Sequence, residues 1–149
     1  MQSKIVRIYV DANVLINYCT GQPNDVEALE YVFTKRRKEV LFTSSLAVVQ
    51  TISSLQSKGR NNRKAYSREK TIAQLDKILP KFTVLDLSYS DIQSGIKSLN
   101  KDIEDSVHYH ISQKMKCDAI FTNNRRDFVY FNNISLIDSN LARLKQRVR

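Results

Sequence analysis

The chain has 149 residues, 42% of them apolar, with 24 Lys and Arg against 15 Asp and Glu. That apolar share excludes a disordered chain, and the length suits one domain over residues 1–149. The net charge of +9 points to nucleic acid or an acidic protein as partner, while two cysteines without C-x-x-C or His-rich spacing argue against a disulfide framework or structural zinc.

In chain order, "IVRIYV" (5–10) is short, β-branched and closed by Asp11, which predicts a strand. "ANVLINYC" (12–19) predicts a short helix and "GQP" a turn. Asn24 or Asp25 is placed to cap a helix with Val26, Leu29, Val32 and Phe33 at helical spacing. "KRRK" (35–38) ends that helix and suits its dipole. "EVLFT" (39–43) predicts a second strand, and Ser44 or Ser45 caps a helix through Leu46, Val49, Ile52 and Leu55. "SKGRNNRK" (57–64) is a polar, basic connection. A long helix follows, with Ile72, Leu75 and Leu79 on one face, stopped at Pro80. "FTVLDL" (82–87) is a third strand, and "SYSDIQSGIKSL" a helix with a Ser88–Asp91 cap. "KDIEDSVHYHISQKM" is a helix with Ile103, Val107 and Ile111 facing inward. "DAIFT" (118–122) is a fourth strand, "ISLID" (134–138) a fifth, and "SNLARLKQRVR" a basic terminal helix.

Strands alternating with helices mean βαβ units. The expected fold is α/β: a three-layer α/β/α sandwich with a mostly parallel sheet of four or five strands. Sites in such sheets form at the carboxyl ends of the strands. No apolar run approaches the roughly 20 residues of a membrane span. "MQSKIVRIYVDANVL" interrupts the apolar core that a signal peptide needs, so a cytoplasmic protein is expected.

The carboxylates follow that geometry. Asp11 directly follows the first strand, and Asp127 lies in the loop after "DAIFT". Asp102 and Asp105, three apart on a helix, share a face; Glu104 points elsewhere, at about 100° per residue. Acids gathered without a cation between them repel, and a hard divalent ion, Mg²⁺ or Mn²⁺, resolves the repulsion. Such an ion can activate water and hold a phosphodiester oxygen. The plainer alternative is that Asp11 and Asp102 cap helices while Asp105 and Asp127 are surface charges.

"VDANVLINY" near the start and "KDIEDSVHYHISQKMKCDAIFTNNRRDF" near the end, with the strand–helix order between them, resemble the PIN domain family. The likeness runs over nearly the whole chain. It is closest to the small single-domain bacterial PIN proteins, many of them toxins of type II toxin–antitoxin pairs. The resemblance implies metal-dependent cleavage of RNA, an antitoxin protein as partner, and admits a homodimer. Residue by residue, it implies that Asp11, Asp105 and Asp127 bind metal and carry catalysis. Asp102 matches an extra acid one turn earlier, Asn124 a polar residue three before the last aspartate, and Thr122 a hydroxyl that can orient water or phosphate. The family usually has a glutamate on the helix after the second strand. Here Gln50 stands at or near that place and offers no charge.

Arg125 and Arg126 sit inside the late motif and are candidates for RNA contact. Arg60, Arg63 and Lys64, in a cluster with Lys58, Arg68 and Lys70, would track a phosphate backbone, with Tyr66 available to stack a base; the alternative is a solvated helix face. His108 and His110, two apart, face different directions and read as packing or partner residues. Three glycines and no G-x-G-x-x-G or Walker A leave nucleotide cofactors poorly supported. Two functional readings stand: a Mg²⁺- or Mn²⁺-dependent endoribonuclease toxin, and a non-catalytic PIN-like module that binds RNA or protein. A receiver-type signalling domain lacks its phospho-accepting aspartate after a middle strand.

Overall fold

Five strands make one sheet: β1 (Val6–Val10), β2 (Glu39–Ser44), β3 (Thr83–Leu85), β4 (Ala119–Phe121) and β5 (Ser135–Ile137). Their order is β3-β2-β1-β4-β5, and every neighbouring pair is parallel. The computed structural model describes residues 6–34, 39–129, 131 and 133–140. Seven α-helices flank the sheet among these residues: α1 (Ala12–Cys19), α2 (Pro23–Thr34), α3 (Ser45–Leu55), α4 (Arg68–Ile78), α5 (Tyr89–Lys97), α6 (Ile103–Lys114) and α7 (Arg125–Phe128).

Strand alternation builds two cores. Ile8, Val10, Leu41 and Phe121 face Val14 and Leu15 of α1, Leu29 of α2, Leu55 of α3 and Ile78 of α4. Tyr9, Phe42 and Ile120, one residue out of phase, face Val107 and Ile111 of α6 and Phe128 of α7. With both sheet faces covered, the fold is the expected three-layer α/β/α sandwich. Each fully buried large aliphatic side chain contributes roughly 1.5–3 kcal/mol.

The chain order sets the site. From β1 it moves outward through β2 to β3, then returns across α5 and α6 to β4 on the other side of β1. The strand order therefore reverses between β1 and β4, and the crevice outside their carboxyl ends is where such sheets bind ligands. Asp11 N donates to Phe121 O at 3.0 Å, so the ends of the two strands are pinned together.

Several expectations about the helices need correction. α2 begins at Pro23, whose missing N–H suits the first helical position, so neither Asn24 nor Asp25 is its cap. Asp25 is buried instead, accepting from Asn123 Nδ2 at 2.5 Å and Ser139 Oγ at 2.7 Å. Ile103 was expected inward but is 51% exposed, and Val49 and Ile72, at helical apolar positions, are 59% and 39% exposed. The buried stripes are Ala47, Thr51 and Leu55 on α3, and Thr71 and Ile78 on α4. Thr51 is tolerated there because its hydroxyl donates to Ala47 O at 2.7 Å within the helix. The expected ends hold elsewhere: Ser44 caps α3, and Ser88 with Asp91 forms a capping box on α5. "KRRK" (35–38) and all but the first two residues of the expected terminal helix lie outside the described residues. Among the described residues, no helix is long and apolar enough to cross a membrane.

α6 carries two of the acids, and one glycine sets its position. A Cβ on Gly95 of α5 would meet Val107 Cγ2 at 2.4 Å and the Val107 backbone N at 3.1 Å. Only the missing side chain lets α5 and α6 approach this closely.

Candidate active site

Asp11 ends β1 and caps α1. Its Oδ1 accepts from Ala12 N at 2.8 Å, and its Oδ2 from Asn13 Nδ2 at 2.7 Å and Thr122 Oγ1 at 2.8 Å. Three donors from two strand ends thus fix a carboxylate that is 3% exposed. Thr122 is itself held, accepting from Asn124 N at 3.0 Å and Asn13 Nδ2 at 3.1 Å.

The acids from α6 and α7 converge beside it. Asp102 caps α6 by accepting from Asp105 N at 3.0 Å, which presents both carboxylates on the same turn. Asp127 is delivered by α7, which Asn100 anchors by donating from Nδ2 to Asp127 O at 2.9 Å. Asp102, Asp105 and Asp127 each offer an oxygen within 4.8 Å of the others. Asp11 stands outside that tight trio but close enough for its charge to act on Asp105.

Asp105 bears the strain of this gathering. Burial, then the charges of Asp11, Asp102 and Asp127, push its pKa up to about 8. When it is ionised, its buried Oδ2 has no donor; when protonated, it shares its proton with Asp127. A buried, unpartnered carboxylate oxygen among three other acids is the donor set of a hard divalent cation. The residues present therefore fit Mg²⁺ or Mn²⁺.

Gln50 does point to this side of the sheet, and each end of its amide has a partner. Nε2 donates to Glu104 Oε2 at 3.1 Å, and Oε1 meets His108 Nε2 at 2.8 Å. Glu104 thus reaches across to α3, which its helical phase alone did not indicate. His108 is 1% exposed; its Nε2 lies 3.6 Å from Asp11 Oδ1 and its Nδ1 2.6 Å from Tyr9 Oη. Burial holds the His108 imidazole below its usual pKa, against the pull of Asp11, Glu104 and Asp102.

An open cleft of about 410 Å³ adjoins the trio, lined by Asn100, Lys101, Asp102, Arg126 and Asp127. It sets two cations against two of the acids.

The family model described as "PIN domain" matches residues 8–134. The chain belongs to the PIN domain family. PIN domains are in general nucleases that use divalent metals. No curated protein matches the chain. Among solved structures, the DNA-bound VapBC of Salmonella typhimurium is similar with a TM-score of 0.67 at 17% identity, over 91% of this chain and 99% of that one. VapBC2 of Rickettsia felis, bound to a DNA fragment from its promoter, gives 0.62 at 17% identity, over 89% and 98%. VapC20 of Mycobacterium tuberculosis, a sarcin-ricin loop cleaving toxin, gives 0.61 at 10% identity, over 83% and 95%. At these identities the likeness is one of fold.

Within this PIN fold the basic residues divide. Arg126 lines the cleft, whereas Arg125 reaches Asp138 Oδ2 at 3.5 Å. Arg63 is used internally: its guanidinium donates to Ser54 O and Lys64 O, both at 3.1 Å. Tyr66 is not open for stacking, since Arg63 and Lys70 lie over its ring at 4.9 and 4.1 Å and its hydroxyl donates to Cys19 O. That contact puts the connection, with exposed Arg60 and Lys64, beside the far end of α1, an eight-residue helix about 12 Å long capped by Asp11.

Sequence reasoning missed Asn13, Asn100, Lys101, Tyr9 and His108. One spacing could have found His108: it follows Asp105 by three residues, as Asp105 follows Asp102, so all three share a face of α6.

Proposed function

We propose that this chain is a Mg²⁺- or Mn²⁺-dependent endoribonuclease, the toxin of a toxin–antitoxin pair. The observation that carries the reading is the buried, unpartnered Asp105 Oδ2 among Asp11, Asp102 and Asp127, at the sheet's switch point. Asp105 and Asp127 hold the cation, with Asp102 and Asp11 completing the anionic cradle. Such a cation, when bound, neutralises phosphate charge and activates water for attack at phosphorus. Thr122, Asn13 and Ala12 N keep Asp11 in one orientation, and Asn100 keeps Asp127 in place. Arg126 and Lys101 draw the RNA phosphates into the cleft, and Arg125, Arg60 and Lys64 extend the basic track. Arg63, bound to backbone carbonyls, supports the shape of that track.

The antitoxin partner rests on the fold shared with the VapBC proteins. A second reading, a non-catalytic PIN module, is favoured by one observation: Gln50 carries no charge, and both ends of its amide are occupied. The test is the purified protein with Mn²⁺ and mixed RNA, with filter binding alongside. Cleavage by the wild type, lost in Asp105→Asn with RNA binding intact, supports the enzyme. Binding without cleavage under any divalent metal moves the function to the second reading.

A further inference from the structure

We propose that His108 is a positioning residue of this site: as the Nε2–H tautomer, locked from behind by Tyr9 and Ser44, it fixes the Asp11 and Gln50 edge of the metal cradle. The inference rests on the metal-dependent reading of that cradle.

The direction of each hydrogen bond follows from its neighbours. Glu104 offers a carboxylate, which only accepts, so Gln50 must turn its N–H₂ toward it. That leaves Gln50 Oε1 facing His108 Nε2 at 2.8 Å. A carbonyl oxygen cannot donate, so Nε2 carries the proton. His108 is 1% exposed, and a charge is costly to bury, so the ring is neutral and Nδ1 is bare to accept the Tyr9 O–H at 2.6 Å. Tyr9 keeps that proton, because burial raises its pKa above the usual phenol value. Ser44 then donates to Tyr9 Oη at 2.7 Å, and accepts from Ala47 N at 3.1 Å as the cap of α3. The result is one chain with a single polarity: Ser44 to Tyr9 to His108 to Gln50 to Glu104.

The chain ties α6 and α3 to the paired strands β1 and β2. Ser44 ends β2, Tyr9 lies in β1, His108 on α6 and Gln50 on α3. His108 Nε2–H, given to Gln50 Oε1, also lies 3.6 Å from Asp11 Oδ1, near enough for its dipole to act on that carboxylate but too far for a hydrogen bond. The hydrogen-bond donors to Asp11 come from α1 and from the end of β4. His108 therefore registers α6, which carries Asp102 and Asp105, against α3 and β1 beside the Asp11 carboxylate. Residues that orient ligands in this way typically cost 10- to 100-fold in metal affinity when removed.

The test uses the full chain. On ¹⁵N-labelled, metal-free protein, imidazole nitrogen–proton correlations report the tautomer. The wild type is expected to give Nε2–H with bare Nδ1, and Tyr9→Phe a mixture, since the donor to Nδ1 is gone. Calorimetric titration with Mn²⁺ is expected to weaken at least about tenfold in His108→Leu. His108→Gln, which can set an amide N–H near the position of Nε2, should recover part of that loss. RNA affinity without metal, by filter binding, should not change. If His108→Leu does not fold, Tyr9→Phe and Gln50→Leu carry the titration, each expected several-fold weaker. A wild-type spectrum showing Nδ1–H, or folded variants that bind Mn²⁺ like the wild type, overturns this inference alone. Wild type that binds no Mn²⁺ removes the cradle itself, and overturns the metal reading together with it.

Discussion

Thr122 Oγ1 donates to Asp11 Oδ2 at 2.8 Å, across 111 residues of sequence. The bond ties the end of β4 to the end of β1 at the point where the strand order reverses. Thr122→Val keeps the shape and removes the hydroxyl, leaving Asn124 N without its acceptor and Asp11 with one donor fewer. A charge-assisted hydrogen bond lost at a buried site costs about 2 kcal/mol. Chemical denaturation should read that loss, and Mn²⁺ titration a roughly tenfold weaker affinity. Full stability in the variant would mean that Asn13 and Ala12 N suffice to hold Asp11.

Asp105 predicts an inversion between metal-free and metal-bound stability. Its folded pKa, about 8, lies above the ordinary 3.8, so the folded protein favours the protonated acid. That stability is fully present below about pH 4 and is lost as pH rises through about 8. In EDTA above pH 8, Asp105→Asn should therefore melt higher than the wild type. The ceiling is about 6 kcal/mol, and relaxation with water entry should leave on the order of 2 kcal/mol. With saturating Mn²⁺ the order should reverse, because only the wild type gains a ligand. Scanning calorimetry at pH 5 and pH 8.5, with and without metal, checks both signs. A wild type more stable than the variant in EDTA at pH 8.5 would show that Asp105 is not strained.

Gly95 predicts a defect transmitted by packing. In Gly95→Ala the new methyl meets Val107 one turn beyond Ile103, at the start of the helix that carries Asp102 and Asp105. Overpacking of this kind costs about 1–3 kcal/mol. The shift of α6 should also weaken Mn²⁺ binding, although Gly95 touches none of the acids. Lower stability with unchanged metal affinity would mean that α5 yields instead of α6.

What could be read from the sequence was what local rules decide. Asp11 closes a β-branched run and precedes a helix that starts at Ala12, so both strand end and cap were legible. Asp102 and Asp105 share a turn by spacing alone. The faces of α3 and α4 were not legible, because Ala47, Thr51 and Thr71 take buried positions ahead of larger apolar neighbours. The membership of the tight acidic trio was not legible either. Asp102 joins Asp105 and Asp127 there, while Asp11 is drawn back by its cap and by Thr122. The Gln50–Glu104 contact depends on how α3 and α6 lie across the sheet, which no residue in either helix announces.

That contact carries the last prediction. Gln50 gives Glu104 a donor at 3.1 Å and gives His108 an acceptor at 2.8 Å. Gln50→Glu keeps the acceptor and replaces the donor with a second carboxylate against Glu104. In EDTA and low salt the variant should melt below the wild type, and added salt should narrow the gap, since exposed like charges are screened. The added charge should at the same time tighten Mn²⁺ binding, so the metal-induced rise in melting temperature should exceed that of the wild type. The reversed pair, Gln50→Glu with Glu104→Gln, restores one donor facing one carboxylate and should recover most of the metal-free stability. The cycle of wild type, two single variants and the double variant isolates the coupling between the two positions. If the double variant is no more stable than Gln50→Glu alone, the two side chains do not meet, and Glu104 stands free of α3.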